Sequence, residues 1–330
     1  MKTIFNQWKK RLFQSKKNNQ GFTLIELLIT VMIAGVIITP LLALMFGLLD
    51  DNRKEMSLTE TQQEMKRALN YMTSELKGAV FVYNGTQLDK LVTQNSLPDF
   101  EGNPTPILAF WKIEAVPSDQ LPDNCTSTKV NPVDDGITNS DTDKAVCNNL
   151  SIERRSYTLV VYLQSTDNPD GTWQGNSRIL RYQLRKFSEV ANNPSPTPDI
   201  LTRTVGYVDP RSESNFENWP LDLENISLQS GRPADTAVAL VDFVDDPIAD
   251  RPRINVPPCP SPEYIRSPSD DDNFKSFFVC VKTPLQSNNQ ETFLYLRGSS
   301  EGKYGSGDSA FFPILQTQVL NRGVLDKSVD

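Results

Sequence analysis

The chain has no histidine in its 330 residues. That absence removes Ser-His-Asp triads, histidine general bases and most zinc sites in one step. Cysteine is nearly as sparse, at Cys125, Cys147, Cys259 and Cys280, with no CxxC pair and no metal-ligand spacing. An excess of positive charge is missing too. Six of the 33 basic residues (Lys2, Lys9, Lys10, Arg11, Lys16, Lys17) and none of the 41 acidic ones precede Phe22. The remainder therefore holds 27 against 41, about −14. So acidic a chain lacks the Lys and Arg needed to displace counterions, and no nucleic-acid partner is expected. Carboxylate-only chemistry, such as glycoside hydrolysis, stays open to this composition, yet no acid/base pair is recognisable. No internal repeat is visible.

Charge is absent from Leu27 to Leu49, 23 consecutive and mostly apolar residues. As a helix rising about 1.5 Å per residue they span roughly 35 Å, enough to cross a hydrocarbon core of about 30 Å. The basic residues before this run stay cytoplasmic by the positive-inside rule, which puts the C-terminal bulk across the membrane. Pro40 lacks an N–H, and loosening of the helix is expected around Val36–Pro40.

Glu26 stands one residue before the apolar run. Insertion scales charge about 2.5–3.5 kcal/mol for such a side chain at a helix centre, so a partner is expected. A cut between Gly21 and Phe22 would free an α-amino group that Glu26 of a neighbouring chain could neutralise. A secretory signal has an apolar region of about 7–15 residues with its cleavage site after it. Here the run is longer and the candidate cut precedes it.

The basic leader ending in Gly21, the Phe22-Thr23-Leu24-Ile25-Glu26 junction and the uninterrupted helix together resemble the processing site of a type IV prepilin or pseudopilin. The resemblance implies cleavage after Gly21 by a prepilin peptidase, methylation of Phe22, and a role for Glu26 in packing the subunit into a filament. It implies other pilins or pseudopilins and an inner-membrane assembly platform as partners. It also implies a single-pass bacterial inner-membrane protein whose C-terminal domain is periplasmic, and later a periplasmic or extracellular filament.

The expected fold class is α+β. Residues 1–21 form the leader, 22–49 the membrane-spanning helix, 50–78 its amphipathic continuation and 79–330 an exterior β-rich domain. Met65, Leu69, Met72 and Leu76 recur at spacings of four, three and four, one helical face that should pack on a sheet. Glu64, Lys66, Arg67 and Glu75 fall off that stripe, and Gly78 is the expected stop. Strands are expected near Ala79–Tyr83, Ile107–Val116, Ser156–Gln164, Ile179–Phe187, Thr236–Val244, Phe274–Lys282, Thr292–Arg297 and Phe311–Leu320. Tyr157–Leu163 and Ile179–Leu184 read as an antiparallel hairpin. Residues 191–198 and 256–262, rich in proline, read as loops. One mainly antiparallel sheet with large insertions results. This layout is similar to the larger minor pseudopilins and minor pilins. The segment following the apolar helix resembles pseudopilins linked to hormogonium polysaccharide secretion in filamentous cyanobacteria.

In an oxidising compartment four cysteines are expected to pair. Three pairings exist; separations of 22 and 21 residues favour Cys125–Cys147 and Cys259–Cys280, each closing one local loop. Asp134, Asp135, Asn139, Asp141 and Asp143 crowd the first of these loops. Oxygens at alternating positions 139, 141 and 143 are what Ca²⁺ needs, but the Gly and distal Glu of an EF-hand are missing, and a solvated acidic loop is the plainer reading. Asp270–Asp272 form another acidic run without an assigned role. Trp173 and Trp219, in polar surroundings, either stack on sugars or plug a local core. The leading expectation is a non-enzymatic minor pilin or pseudopilin supporting polysaccharide secretion, without a cofactor. The alternative keeps the anchor and makes the exterior domain a pilus-tip adhesin or glycan-binding module.

Overall fold

The computed structural model describes residues 21–116, 130–131, 148, 152–186, 201–202, 204–211, 213–248, 254–269, 274–282, 289–303 and 310–322. The chain divides into two units, Met1–Asn52 and Arg53–Asp330.

In the first unit, the described residues from Leu24 onward belong to helix α1 (Leu24–Lys77). All residues from Gly21 to Asn52 are exposed. So much uncovered aliphatic surface needs lipid or other helices as its solvent. The two threonines of the run satisfy their hydroxyls locally, Thr30 on the Leu27 carbonyl at 2.8 Å and Thr39 on the Gly35 carbonyl at 2.7 Å. Contrary to the loosening expected at Val36–Pro40, the helix is continuous across Pro40. A proline removes one backbone hydrogen bond, and intact turns on either side hold the geometry.

The second unit begins with the remainder of α1. Its buried positions include the four predicted for the stripe (Met65, Leu69, Met72 and Leu76) and extend it through Ser57, Thr61 and Ala68. The helix ends before Gly78, whose N–H bonds the Glu75 carbonyl at 3.0 Å. Then come β1 (Ala79–Val82), helix α2 (Gly85–Thr93), β2 (Thr105–Ala115), the short β3 (Val130–Asn131), β4 (Arg155–Ser165), β5 (Ser177–Leu184), the short β6 (Leu201–Thr202), β7 (Val238–Val244), β8 (Tyr264–Ser267), β9 (Phe277–Lys282), β10 (Asn289–Arg297) and β11 (Ile314–Arg322).

The single sheet expected from the sequence is instead two antiparallel sheets, ordered β1-β2-β4-β5-β7 and β11-β10-β9-β8; β3 and β6 pair in parallel. β4 and β5 form the expected antiparallel hairpin, in a register that sets Tyr162 opposite Arg181. Helix α2 was not expected, although its capping box was legible: Asn84 accepts from the Gln87 N–H, and the Gln87 side chain accepts from the Asn84 N–H.

Met65, Leu69, Met72 and Leu76 share one core with Leu108, Phe110, Val160 and Ile179 of the first sheet and Phe277, Val279, Leu294 and Leu296 of the second. The other face of the first sheet is also buried, with Trp111, Leu159, Val161 and Tyr182 packed against α2 and against Tyr207, Val208 and Trp219. Burial on both faces is why β4 reads as an almost unbroken apolar run rather than an alternation.

Polar groups join the two sheets. The amide of Gln290 on β10 accepts from the Val82 N–H at 2.7 Å and donates to the Val82 carbonyl at 2.9 Å. It stands in for a neighbouring strand along β1, satisfying buried backbone groups. At the opposite edge Val244 pairs with Gly298. Beside that pairing Arg297 Nε donates to Asp245 at 2.7 Å, both side chains being inaccessible to solvent. Gln164 Nε2 completes the seam, donating to Ser177 and Ser276 at 2.8 Å each and to the Asp245 carbonyl at 3.1 Å.

Candidate processing and assembly site

The N-terminal junction is set by the start of α1. Gly21, Phe22 and Thr23 precede the helix. The Thr23 carbonyl accepts from the N–H groups of Glu26 and Leu27 at 3.1 Å each, and its hydroxyl from the Glu26 N–H at 3.4 Å. Thr23 therefore caps the helix, and Thr23-Leu24-Ile25-Glu26 has the spacing of a capping box. A carboxylate in the first turn also complements the positive end of the helix dipole. Phe22 is 79% exposed, so the bond before it lies open on the chain's surface.

The structure brings Cys259 and Cys280 into a disulfide with Cα atoms 5.7 Å apart. The bond lies beside Phe278 and Tyr295 on the outer face of the second sheet. Cys125, Cys147 and the candidate ligands Asn139, Asp141 and Asp143 lie outside the described residues, as do Asp134, Asp135 and Asp270–Asp272. Among the described residues no group of three or more Cys, Asp or Glu side chains could hold a metal ion.

The two tryptophans separate. Trp219 is buried at 1% exposure, its Nε1 donating to the Val208 carbonyl at 2.9 Å and its ring 5.4 Å from that of Trp111. It plugs the core and presents no face to a sugar. Trp173 is 37% exposed, and the Arg178 guanidinium lies 5.1 Å from its ring centre.

Glu75, which lies off the apolar stripe of α1, is a heavily engaged carboxylate. Glu75 faces the first sheet with its side chain 11% exposed. Arg181 grips it through Nε at 2.9 Å and Nη2 at 2.8 Å, Lys112 Nζ lies at 2.8 Å, and the Tyr162 hydroxyl donates a fourth hydrogen bond. Burial alone would raise its pKa. The hydrogen bonds from Arg181, Lys112 and Tyr162 outweigh that and hold it at about 2. The same contact pushes the Tyr162 hydroxyl up, burial contributing most. A carboxylate so saturated with donors does not exchange protons near neutrality; it fastens the helix to β2, β4 and β5.

These features define a class: an α+β protein with an N-terminal helix long and apolar enough to cross a membrane, followed by a β-rich unit, an arrangement consistent with a pilin-like fold. Comparison with protein families agrees at the junction, where the prokaryotic N-terminal methylation motif matches residues 16–42. Searches of curated proteins and of solved structures give no match. The motif supports a type IV pilin-like protein that is processed by prepilin peptidase and assembles with other pilins. It points to a structural subunit rather than an enzyme, and it fits membrane anchoring and a periplasmic or surface filament.

Proposed function

We propose that the chain is a minor subunit of a type IV pilus-like or type II secretion-like filament whose cargo is polysaccharide. The peptidase cuts between Gly21 and Phe22, and the new amine is methylated. In the filament, apolar helices of neighbouring copies bundle together and Glu26 meets the amine of an adjacent Phe22. An unpaired carboxylate among apolar helices is costly, whereas a paired one sets the register between subunits. The observation that carries this reading is the Gly21–Glu26 junction capping an exposed apolar helix, together with the methylation-motif match over residues 16–42.

The test is the mass and N-terminal sequence of the protein from its native host, with N-methyl-Phe22 expected at the terminus. A mature chain beginning at Met1, or after Leu49, would overturn the reading. Glu26→Ala should reduce incorporation into filaments severalfold while the circular dichroism of the second unit stays unchanged. Normal incorporation would remove the role given to the carboxylate. The polysaccharide cargo is tested by deleting the gene: unchanged polysaccharide export would exclude it.

A further inference from the structure

The second unit carries two exposed features of opposite character. One is a loop tip. Leu223 is 95% exposed and Ile226 57% exposed, with the exposed Glu224 between them. The loop holds these side chains outward by its own hydrogen bonds. Asp222 Oδ1 accepts from the N–H groups of Glu224 and Ile226 at 2.8 Å each, and the Asp222 N–H donates to the Ile226 carbonyl at 3.0 Å. At the base, the Leu228 N–H donates to the Pro220 carbonyl at 3.0 Å and Ser214 Oγ to the Leu221 carbonyl at 2.6 Å. A tip fixed in this way loses little conformational freedom on docking.

The other is a pocket of about 380 Å³ lined by Ile113, Glu153, Arg155, Ser156, Tyr157 and Arg211. Ile113 and Tyr157 sit opposite each other on β2 and β4, and Arg155 lies two residues from Tyr157 on the same face. The floor is thus apolar and the rim holds two guanidiniums against one carboxylate. Neither Arg155 nor Arg211 has an ion-pair partner among the described residues.

We infer that the acidic, apolar tip at Leu223–Ile226 docks into the basic, apolar pocket around Ile113, Arg155 and Arg211 of a second copy of this chain. The charges are complementary: Asp222 and Glu224 come with the aliphatic side chains, and the two arginines wait at the rim. Copies carrying −8 at full length, and about −14 once the leader is removed, repel one another at long range, so a contact between them needs a local patch of the opposite sign. Tip and pocket are different surfaces, which makes the contact heterologous, the kind that extends into rings or helical filaments. The pocket's own tip is not its occupant, since Leu223 stands free in solvent. The contact goes beyond the proposed processing chemistry and uses none of the apolar helix.

The test is site-directed cross-linking of full-length protein in detergent micelles. Chains carrying Leu223→Cys are mixed with chains carrying Ile113→Cys and treated with a short bis-maleimide, the unsubstituted chain giving the background. An inter-chain product is expected in the mixture and not with either variant alone. Adding Glu224→Arg to the first chain should cut the yield about tenfold, and Arg155→Glu with Arg211→Glu on the second should restore it. All five positions lie at the surface, and unchanged tryptophan fluorescence verifies the fold. Yield at background, or yield indifferent to the charge reversals, would overturn the inference. Because unprocessed chains serve equally well, such a failure would leave the cleavage after Gly21 standing.

Discussion

Replacing Glu75 by glutamine removes one charge and leaves two cations facing the gap. Arg181 and Lys112 are only 12% and 15% exposed, so solvent cannot take over the lost partner cheaply. Glu75 titrates at about 2 in the folded chain against an ordinary 4.5. A depressed carboxylate pKa contributes stability that is fully present above 4.5 and fades as pH falls toward 2. Converting that interval gives about 3 kcal/mol at pH 7, shrinking to about 1 kcal/mol at pH 3. Breaking a buried pair on one side costs a similar ~3–5 kcal/mol. The assay is urea unfolding of full-length wild type and Glu75→Gln in detergent, followed by the fluorescence of the buried Trp111 and Trp219 at pH 7, 5 and 3. The variant should unfold at distinctly lower urea at pH 7, and the gap should close by more than half at pH 3. A gap of under 0.5 kcal/mol at pH 7, or one that does not depend on pH, would refute the account of Glu75 as the clamp between helix and sheet.

Gln290→Leu leaves the N–H and carbonyl of Val82 without the amide that meets both, a loss of about 1–3 kcal/mol per unsatisfied group. Hydrogen exchange at Val82 should accelerate by at least tenfold, and unchanged exchange would show that the amide is dispensable. Reducing or deleting the Cys259–Cys280 bond reopens a loop spanning 21 residues. The loop-closure entropy predicts a loss of about 3 kcal/mol, read as a fall in the unfolding midpoint of Cys259→Ser/Cys280→Ser against wild type.

Much of this molecule is legible along the chain. The apolar run needs no tertiary context, because length and lack of charge suffice to specify a helix at home in lipid. The Gly21–Glu26 junction is likewise local, and so is the Met65–Leu76 stripe. The strongest strands, β2, β4 and β5, announce themselves through β-branched and aromatic residues. The signal for helix α2 is the pair Asn84 and Gln87, three residues apart, which is weaker than an apolar period.

Glu75 shows where local reading ends. Helical spacing places it beside the stripe, and only the folded sheet supplies the arginine, lysine and tyrosine that turn a surface carboxylate into a clamp, from positions 37 to 106 residues away. The same holds for Trp219, whose polar neighbours in sequence give no hint of the aromatic cluster that buries it. The two sheets are joined by Gln290 reaching Val82 across 208 residues and by Arg297 meeting Asp245 across 52. Periodicity records which face of an element is apolar. It holds no record of which distant polar group will complete a buried hydrogen bond, because that choice is made when chain segments meet and water is excluded between them.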